Sequence, residues 1–77
     1  MQKLISKFEK NSIEEIRVEL SEYKGQTYLN VRAWVKGDNG EFLPTRKGIT
    51  LNIELIPDLI EALKKARASI TGSDNGQ

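Results

Sequence analysis

The sequence predicts an α+β fold, a four-stranded antiparallel β-meander followed by one C-terminal amphipathic α-helix. Apolar and polar residues alternate over residues 16–23 and 27–35, as half-buried strands require. Glycine-containing turn signals follow both segments, which predicts hairpins. Beyond residue 52 the apolar residues recur at three- and four-residue steps, and this change of period predicts the helix.

The N-terminal residues 1–12 precede the alternating pattern and carry three lysines. A helix this short is marginal in isolation, so we expect a flexible basic arm that docks through Phe8. Strand one then covers residues 16–23, and Gly25 supplies the positive φ of the turn. Strand two covers residues 27–35 and completes a hairpin with strand one.

The dipeptide Asn39-Gly40 predicts the second hairpin turn. A short third strand over residues 41–43 should end at Pro44, because proline cannot donate a hydrogen bond to a sheet. Residues 44–47 are then expected to form a basic connection, and residues 48–51 the fourth strand.

Asn52 is a plausible N-cap for the C-terminal helix, with a loose turn over residues 53–56 and the main helix from Pro57 to Ile70. Residues 13–70 should therefore form one domain, and residues 71–77 a disordered tail. One sheet looks too narrow to cover the apolar stripe of the helix, and so small a domain has a thin core. We expect a homodimer whose interface includes Ile56, Leu59, Ile60, Leu63 and Ile70.

The composition argues against several classes of protein. The chain of 77 residues has a net charge of +1 and contains neither cysteine nor histidine, so disulfides and the commonest acid–base group are ruled out. We find no nucleophile–base motif, no metal-binding pattern and no glycine-rich phosphate loop, and we predict a non-enzymatic protein without metal or cofactor. Neither a membrane span nor a secretory signal is evident, so we expect a cytoplasmic protein, nucleoid-associated in a bacterium.

The outward side of strand two is the feature that points to a function. It carries Tyr28, Asn30, Arg32 and Trp34. Cross-strand aromatic pairs also stabilise sheets without a ligand, by about 0.2–1 kcal/mol, so this side alone leaves packing and binding equally open. Further aromatic and basic residues lie at Tyr23-Lys24 and Arg46-Lys47, and aromatics interleaved with cations favour single-stranded nucleic acid.

Several motifs together resemble the family of the transcriptional coactivator called positive cofactor four, in its short bacterial and phage form. They are "SEYKG" at the end of strand one, "R-x-W" in strand two, and "PTRKGITL" leading into the helix. The resemblance covers residues 13–67. It implies a homodimer that binds single-stranded DNA with little sequence preference, in transcription or in replication and repair.

The resemblance also implies which residues bind the nucleic acid. Together with Tyr28 from the outward side, they are Tyr23, Lys24, Gly25, Arg32, Trp34, Arg46, Lys47 and Gly48. The chain departs from the family at Gln26, where a second basic residue is common, and at Val35, where the family's strand-two aromatic can stand. RNA remains an open alternative to DNA. A protein-interaction adaptor that contacts transcription or replication proteins through the same face is the alternative function.

Overall fold

A computed structural model describes residues 2–71 and confirms the predicted fold class. Four antiparallel strands form one sheet in the order β1-β2-β3-β4, and a helix follows. The strands are β1 (Gln2–Glu9), β2 (Glu14–Tyr23), β3 (Gln26–Lys36) and β4 (Phe42–Asn52). A 3₁₀ turn over Ile53–Leu55 leads into α1 (Ile56–Thr71). The predicted tail, residues 71–77, lies outside the described residues except for Thr71, the last residue of α1.

Two assignments of strands are corrected by the structure. Residues 2–9 are not a flexible arm but the edge strand β1, which pairs with β2. A bulge at Ile5 interrupts their alternation, because Leu4 pairs with Glu19 and Ser6 already pairs with Val18. The predicted third strand, the basic connection and the fourth strand are one continuous strand, β4, in which Pro44 is accommodated. Since β4 is the other edge of the sheet, a missing N–H at this position need not break a ladder.

The turns and the helix start follow the sequence prediction. Lys24 and Gly25 both have positive φ, 51° and 77°, as a type I′ hairpin turn requires. Gly40, with φ of 87°, completes the second hairpin. The Asn52 side chain accepts a hydrogen bond from the backbone N–H of Glu54 at 3.0 Å, so the predicted N-cap caps the 3₁₀ turn before α1.

Strand alternation gives the sheet two different faces. The side chains of Leu29, Val31, Ala33 and Val35 in β3 define the apolar face, and those of Tyr28, Asn30, Arg32 and Trp34 define the polar face. The cross-strand register extends both: Val18 and Ile49 pair with Val31, whereas Arg17 and Gly48 pair with Arg32. Leu29 and Ala33 are the only buried apolar residues among those described.

The apolar face is largely open. A cavity of about 520 Å³ separates it from α1. From the sheet side the cavity is lined by Phe8, Val18, Leu29, Val31 and Ile49, and from the helix side by Ile56, Leu59, Ile60 and Leu63. The radius of gyration is 15.1 Å, whereas a compact domain of this length has about 11.5 Å. No helix within residues 2–71 has the length and apolar character needed to cross a membrane.

Candidate nucleic-acid interface

A polar network occupies the middle of the polar face. The Asn30 side-chain amide donates a hydrogen bond to Ser21 Oγ at 2.9 Å, and Thr50 Oγ1 donates to Asn30 Oδ1 at 2.8 Å. These bonds join β2, β3 and β4 on the same side as Arg32. The backbone of this face is therefore held by side chains as well as by the sheet ladder.

Arg32 lies on the polar face as predicted, and neutral oxygens hold its guanidinium. Nη1 donates to the carbonyl of Thr45 at 3.0 Å, and Nη2 donates to Thr50 Oγ1 at 3.3 Å. No described carboxylate pairs with Arg32. Its positive charge therefore remains available to an anion.

A bulge in β4 brings the Thr45 carbonyl to Arg32. Arg32 pairs with Gly48 and Trp34 pairs with Pro44, so residues 45–47 lie opposite the single residue Ala33. Thr45 Oγ1 stabilises the bulge by donating to the Ala33 carbonyl at 2.8 Å and accepting from the Lys47 N–H at 3.1 Å. A Cβ on Gly48 would lie 2.5 Å from the carbonyl oxygen of Val31. Gly48, predicted as a binding residue, thus has a clear structural role in this close strand approach.

The bulge places Arg46 and Lys47, both exposed, in different surroundings. Arg46 has no carboxylate partner among the described residues. The Lys47 ammonium lies 3.6 Å from Glu14 Oε2, and Glu14 shares the side of Ile16 rather than that of Arg32. Arg46 and Lys47 therefore do not form a single cluster of positive charge with Arg32.

The Glu14 carboxylate is surrounded by one amide donor and two lysine ammonium groups. A hydrogen bond from the Asn11 amide lowers the pKa of Glu14, partial burial opposes this, and the nearby Lys10 and Lys47 ammonium groups lower the pKa further. The Asn11 amide is 2.9 Å and Lys10 Nζ is 3.4 Å from Glu14 Oε1. Glu14 thus joins the β1–β2 connection to the β4 bulge.

The tip of the β2–β3 hairpin carries the most accessible ring of the predicted site. Tyr23 is 63% exposed, and the Lys24 ammonium lies 5.4 Å from its ring centroid. Gly25 completes the type I′ turn beside them. Strand alternation puts Tyr23 on the side of Ser21 and Arg17, so the ring extends the polar face at one end.

Trp34 is on the polar face, but it does not present a free ring. The Arg17 guanidinium carbon lies 4.0 Å from the Trp34 ring centroid and 5.9 Å from that of Phe42. Trp34 is half-buried, and its Nε1 is the only buried side-chain nitrogen or oxygen without a hydrogen-bond partner among the described residues. The ring face of Trp34 beneath Arg17 is therefore covered and not open to stacking.

Two buried carboxylates make the β1–β2 part of the polar face different from the β3–β4 part. Glu15 and Glu19 are only 7% and 8% exposed. Glu15 accepts from Arg17 Nε at 2.5 Å and lies 3.9 Å from Lys7 Nζ, and Gln2 donates to Glu19 at 3.4 Å. Uncompensated positive charge is accordingly concentrated towards β3 and β4.

Sequence reasoning gave no role in this site to Arg17, Glu15 or Phe42. The alternation of predicted strand one puts Arg17 on the side opposite Ile16 and Val18, and extending that strand by one residue would have included Glu15. Phe42 had no usable signal, because its contact with Arg17 depends on the β4 register.

The predicted dimer residues are placed together with one exception. Ile56, Leu59, Ile60 and Leu63 line the cavity on the helix side. Ile60 and Leu63 remain 47% and 59% exposed. Ile70 is 85% exposed and is not part of the cavity lining.

Known proteins resemble this chain in sequence and structure. Residues 10–62 match the family described as Transcriptional Coactivator p15 (PC4). A PC4 homolog from Burkholderia pseudomallei, in a tetragonal crystal form, has 34% identity and a TM-score of 0.82 over 88% of this chain and all (100%) of that chain. Its orthorhombic form gives the same identity, 34%, and TM-score, 0.82, over 87% of this chain and 90% of that chain.

A more distant structure extends the comparison to phages. The bacteriophage T5 homolog of the eukaryotic transcription coactivator PC4, described as implicated in recombination-dependent DNA replication, has 25% identity and a TM-score of 0.68. The match covers 84% of this chain and 75% of that chain. No protein in the comparison with curated sequences matches this chain.

Proposed function

Because this chain belongs to the Transcriptional Coactivator p15 (PC4) family, we propose that it is a homodimeric protein that binds single-stranded DNA with little sequence preference, in transcription regulation or in replication and repair. One observation carries the proposal. An exposed aromatic ring, Tyr23, and two cations that no carboxylate of residues 2–71 pairs with, Arg32 and Arg46, occur along the same sheet. That combination suits a strand whose bases are free to stack and whose phosphates need positive partners.

The proposed contacts divide by chemistry. The Tyr23 ring stacks on a base, and Gly25 lets the hairpin tip turn tightly beside it. Lys24, Arg32, Arg46 and Lys47 are the phosphate partners, and Lys47 must exchange its contact with Glu14 for a phosphate. Tyr28, Trp34 and Gly48 lie between these groups along β3 and β4.

The open apolar face supports the dimer. Ile49, Ile60 and Leu63 are 45%, 47% and 59% exposed around an apolar cavity of about 520 Å³. Contiguous exposed apolar surface marks an interface more often than a free surface. A second copy presenting the same sheet and helix would cover it, and this arrangement leaves both polar faces accessible.

The proposal is tested by fluorescence anisotropy with labelled oligothymidine, a blunt duplex of equal length and the corresponding RNA. Single strands should bind well ahead of the duplex, because stacking needs unpaired bases. The logarithm of the binding constant should fall with the logarithm of salt concentration, by about 0.7 for each phosphate neutralised. Equal affinity for single strand and duplex at moderate salt would contradict the proposal, and the RNA arm decides between the two nucleic acids.

The adaptor alternative is favoured by one observation, the two buried carboxylates Glu15 and Glu19 on the polar face. Negative charge repels phosphates but is compatible with a protein partner. An adaptor would bind no oligonucleotide, and its protein interface would depend on salt much more weakly. The titration with labelled oligothymidine therefore separates the two functions.

A further inference from the structure

Arg17 is held in one orientation by three neighbours on the polar face. Its guanidinium lies 4.0 Å from the Trp34 ring centroid and 5.9 Å from that of Phe42. Its Nε donates to Glu15 at 2.5 Å, and the Glu15 side chain is only 9% exposed. A guanidinium fixed by a ring and a carboxylate loses little conformational freedom when it binds a further group.

The terminal nitrogens of Arg17 are still available. No hydrogen bond joins them to any described residue, and they are not among the buried polar atoms that lack a partner. Its side chain is 20% exposed, so the group is recessed but reaches solvent. Two parallel N–H donors in a plane match the oxygens of a phosphate group.

The charge around Arg17 also favours an anion. Arg17 lies directly opposite Arg32 on the neighbouring strand, and like charges in that position are unfavourable. Within residues 2–71, Arg32 has only neutral oxygens as partners, and the single carboxylate of Glu15 serves both Arg17 and Lys7. An anion bound on this side would relieve the repulsion between the two arginines.

We propose that Arg17 is a further nucleic-acid contact that binds a backbone phosphate of the single strand, and that Trp34 acts as its positioning residue rather than as a stacking ring. This inference rests on the proposed function. It extends the phosphate contacts from Arg32 in β3 across to Arg17 in the middle of β2, a residue to which the family resemblance assigned no contact.

The decisive variant is the double change Glu15→Gln with Arg17→Gln, measured by oligothymidine anisotropy over a salt series. It removes one negative and one positive charge, so the net charge of the protein is unchanged. We expect binding about tenfold weaker, the equivalent of about 1.4 kcal/mol, and a salt slope smaller by about 0.7. An unchanged slope, in a protein that circular dichroism shows to be folded, would overturn the inference.

Two single variants complete the test. Lys65→Ala removes a cation on the side of α1 opposite the apolar stripe and should leave the slope unchanged. Arg17→Lys keeps the charge beside buried Glu15, so it should fold even where the double variant does not. It should keep the slope but weaken binding, because an ammonium cannot form two parallel hydrogen bonds. Native affinity in Arg17→Lys would contradict the two parallel hydrogen bonds that the Arg17 guanidinium is proposed to donate to the phosphate.

The single tryptophan gives an independent readout of the role of Trp34. If Arg17 stays on the indole, quenching of Trp34 emission by acrylamide should change little when saturating oligothymidine is added. A large change in this quenching on saturation would mean that a base replaces Arg17 on the indole, which overturns the positioning role. The native protein is titrated before any variant. If it binds no single strand, the proposed function itself is rejected, and the role of Arg17 is not what failed.

Discussion

At the scale of single residues, the aromatic groups of the polar face differ in what they can offer. Tyr23 is 63% exposed at a hairpin tip, whereas Trp34 is half-buried beneath Arg17. The sequence places both rings on one side of the sheet by simple alternation. Of these two rings, only that of Tyr23 presents an open face, and we therefore expect Tyr23 to contribute more stacking energy than Trp34.

Tyr23→Ala should weaken oligothymidine binding by about 1–3 kcal/mol, the usual value for one stacked base. Because the side chain is exposed, the free energy of unfolding should change by less than about 0.5 kcal/mol. Anisotropy and urea denaturation measure the two quantities. Tyr23→Phe is the matched control, since it keeps the ring and should bind almost as well as the native protein. Undiminished binding by Tyr23→Ala would remove Tyr23 from the site.

At the scale of elements, the bulge in β4 is the feature that organises the site. It interrupts the ladder opposite Ala33, presents the Thr45 carbonyl to Arg32, and exposes Arg46. Glycine at position 48 allows the strands to approach there. The predicted basic connection thus carries the expected residues, but as part of a strand whose register determines their direction.

Gly48→Ala should destabilise the protein by about 1–3 kcal/mol, because its Cβ would meet the Val31 carbonyl oxygen at 2.5 Å and the Arg32 Cα at 2.8 Å. Thermal and urea unfolding measure the loss. Gly40→Ala is the comparison, since its Cβ meets nothing within 4 Å and only the positive φ of 87° opposes the change. A Gly48→Ala protein as stable as the native one would show that the close approach is not required.

Glu14 makes the junction between β1, β2 and β4 sensitive to pH. Its folded-state pKa is lowered, first by the Asn11 amide and then by the lysines, so its contribution to stability is complete above the ordinary value of 4.5. That contribution is lost as the pH falls through the lowered value. In urea titrations, the native protein should therefore exceed Glu14→Gln in unfolding free energy at pH 7 by more than it does at pH 3. A difference that is independent of pH would contradict this role.

At the scale of the whole molecule, the two faces of the sheet differ in how far they are covered. The polar face is covered by its own long side chains, which bury Glu15 and Glu19, while the apolar face lies open around a cavity. A small domain in which Leu29 and Ala33 are the only buried apolar residues of the part that the structure describes gains little from its own core. Association with a second copy is the arrangement that would complete it.

Leu63→Asp tests that association, because a charge buried without a partner at an interface costs several kcal/mol. It should give monomers or unfolded protein in sedimentation velocity, whereas the native protein should sediment as a dimer. Lys65→Asp introduces the same side chain on the opposite side of α1 and should remain dimeric. A folded native monomer at micromolar concentration would refute the dimer.

Much of this protein was determined by the sequence alone. The hairpin turns at Gly25 and Gly40, the alternation of β2 and β3, the Asn52 cap and the stripe of α1 all depend on residues close together in the chain. Periodicity and turn chemistry are local properties, so they predicted the fold class and placed Tyr28, Arg32 and Trp34 on one side.

The remaining features depend on which residues lie opposite each other, and the tertiary structure alone decided them. The bulge at Ile5 hides the alternation of β1, and the edge position of β4 admits Pro44, so both strands were misread. The stacking of Arg17 on Trp34 likewise requires the register of β2 against β3. Register joins residues that are far apart in the chain, and no local pattern specifies what a side chain will meet there.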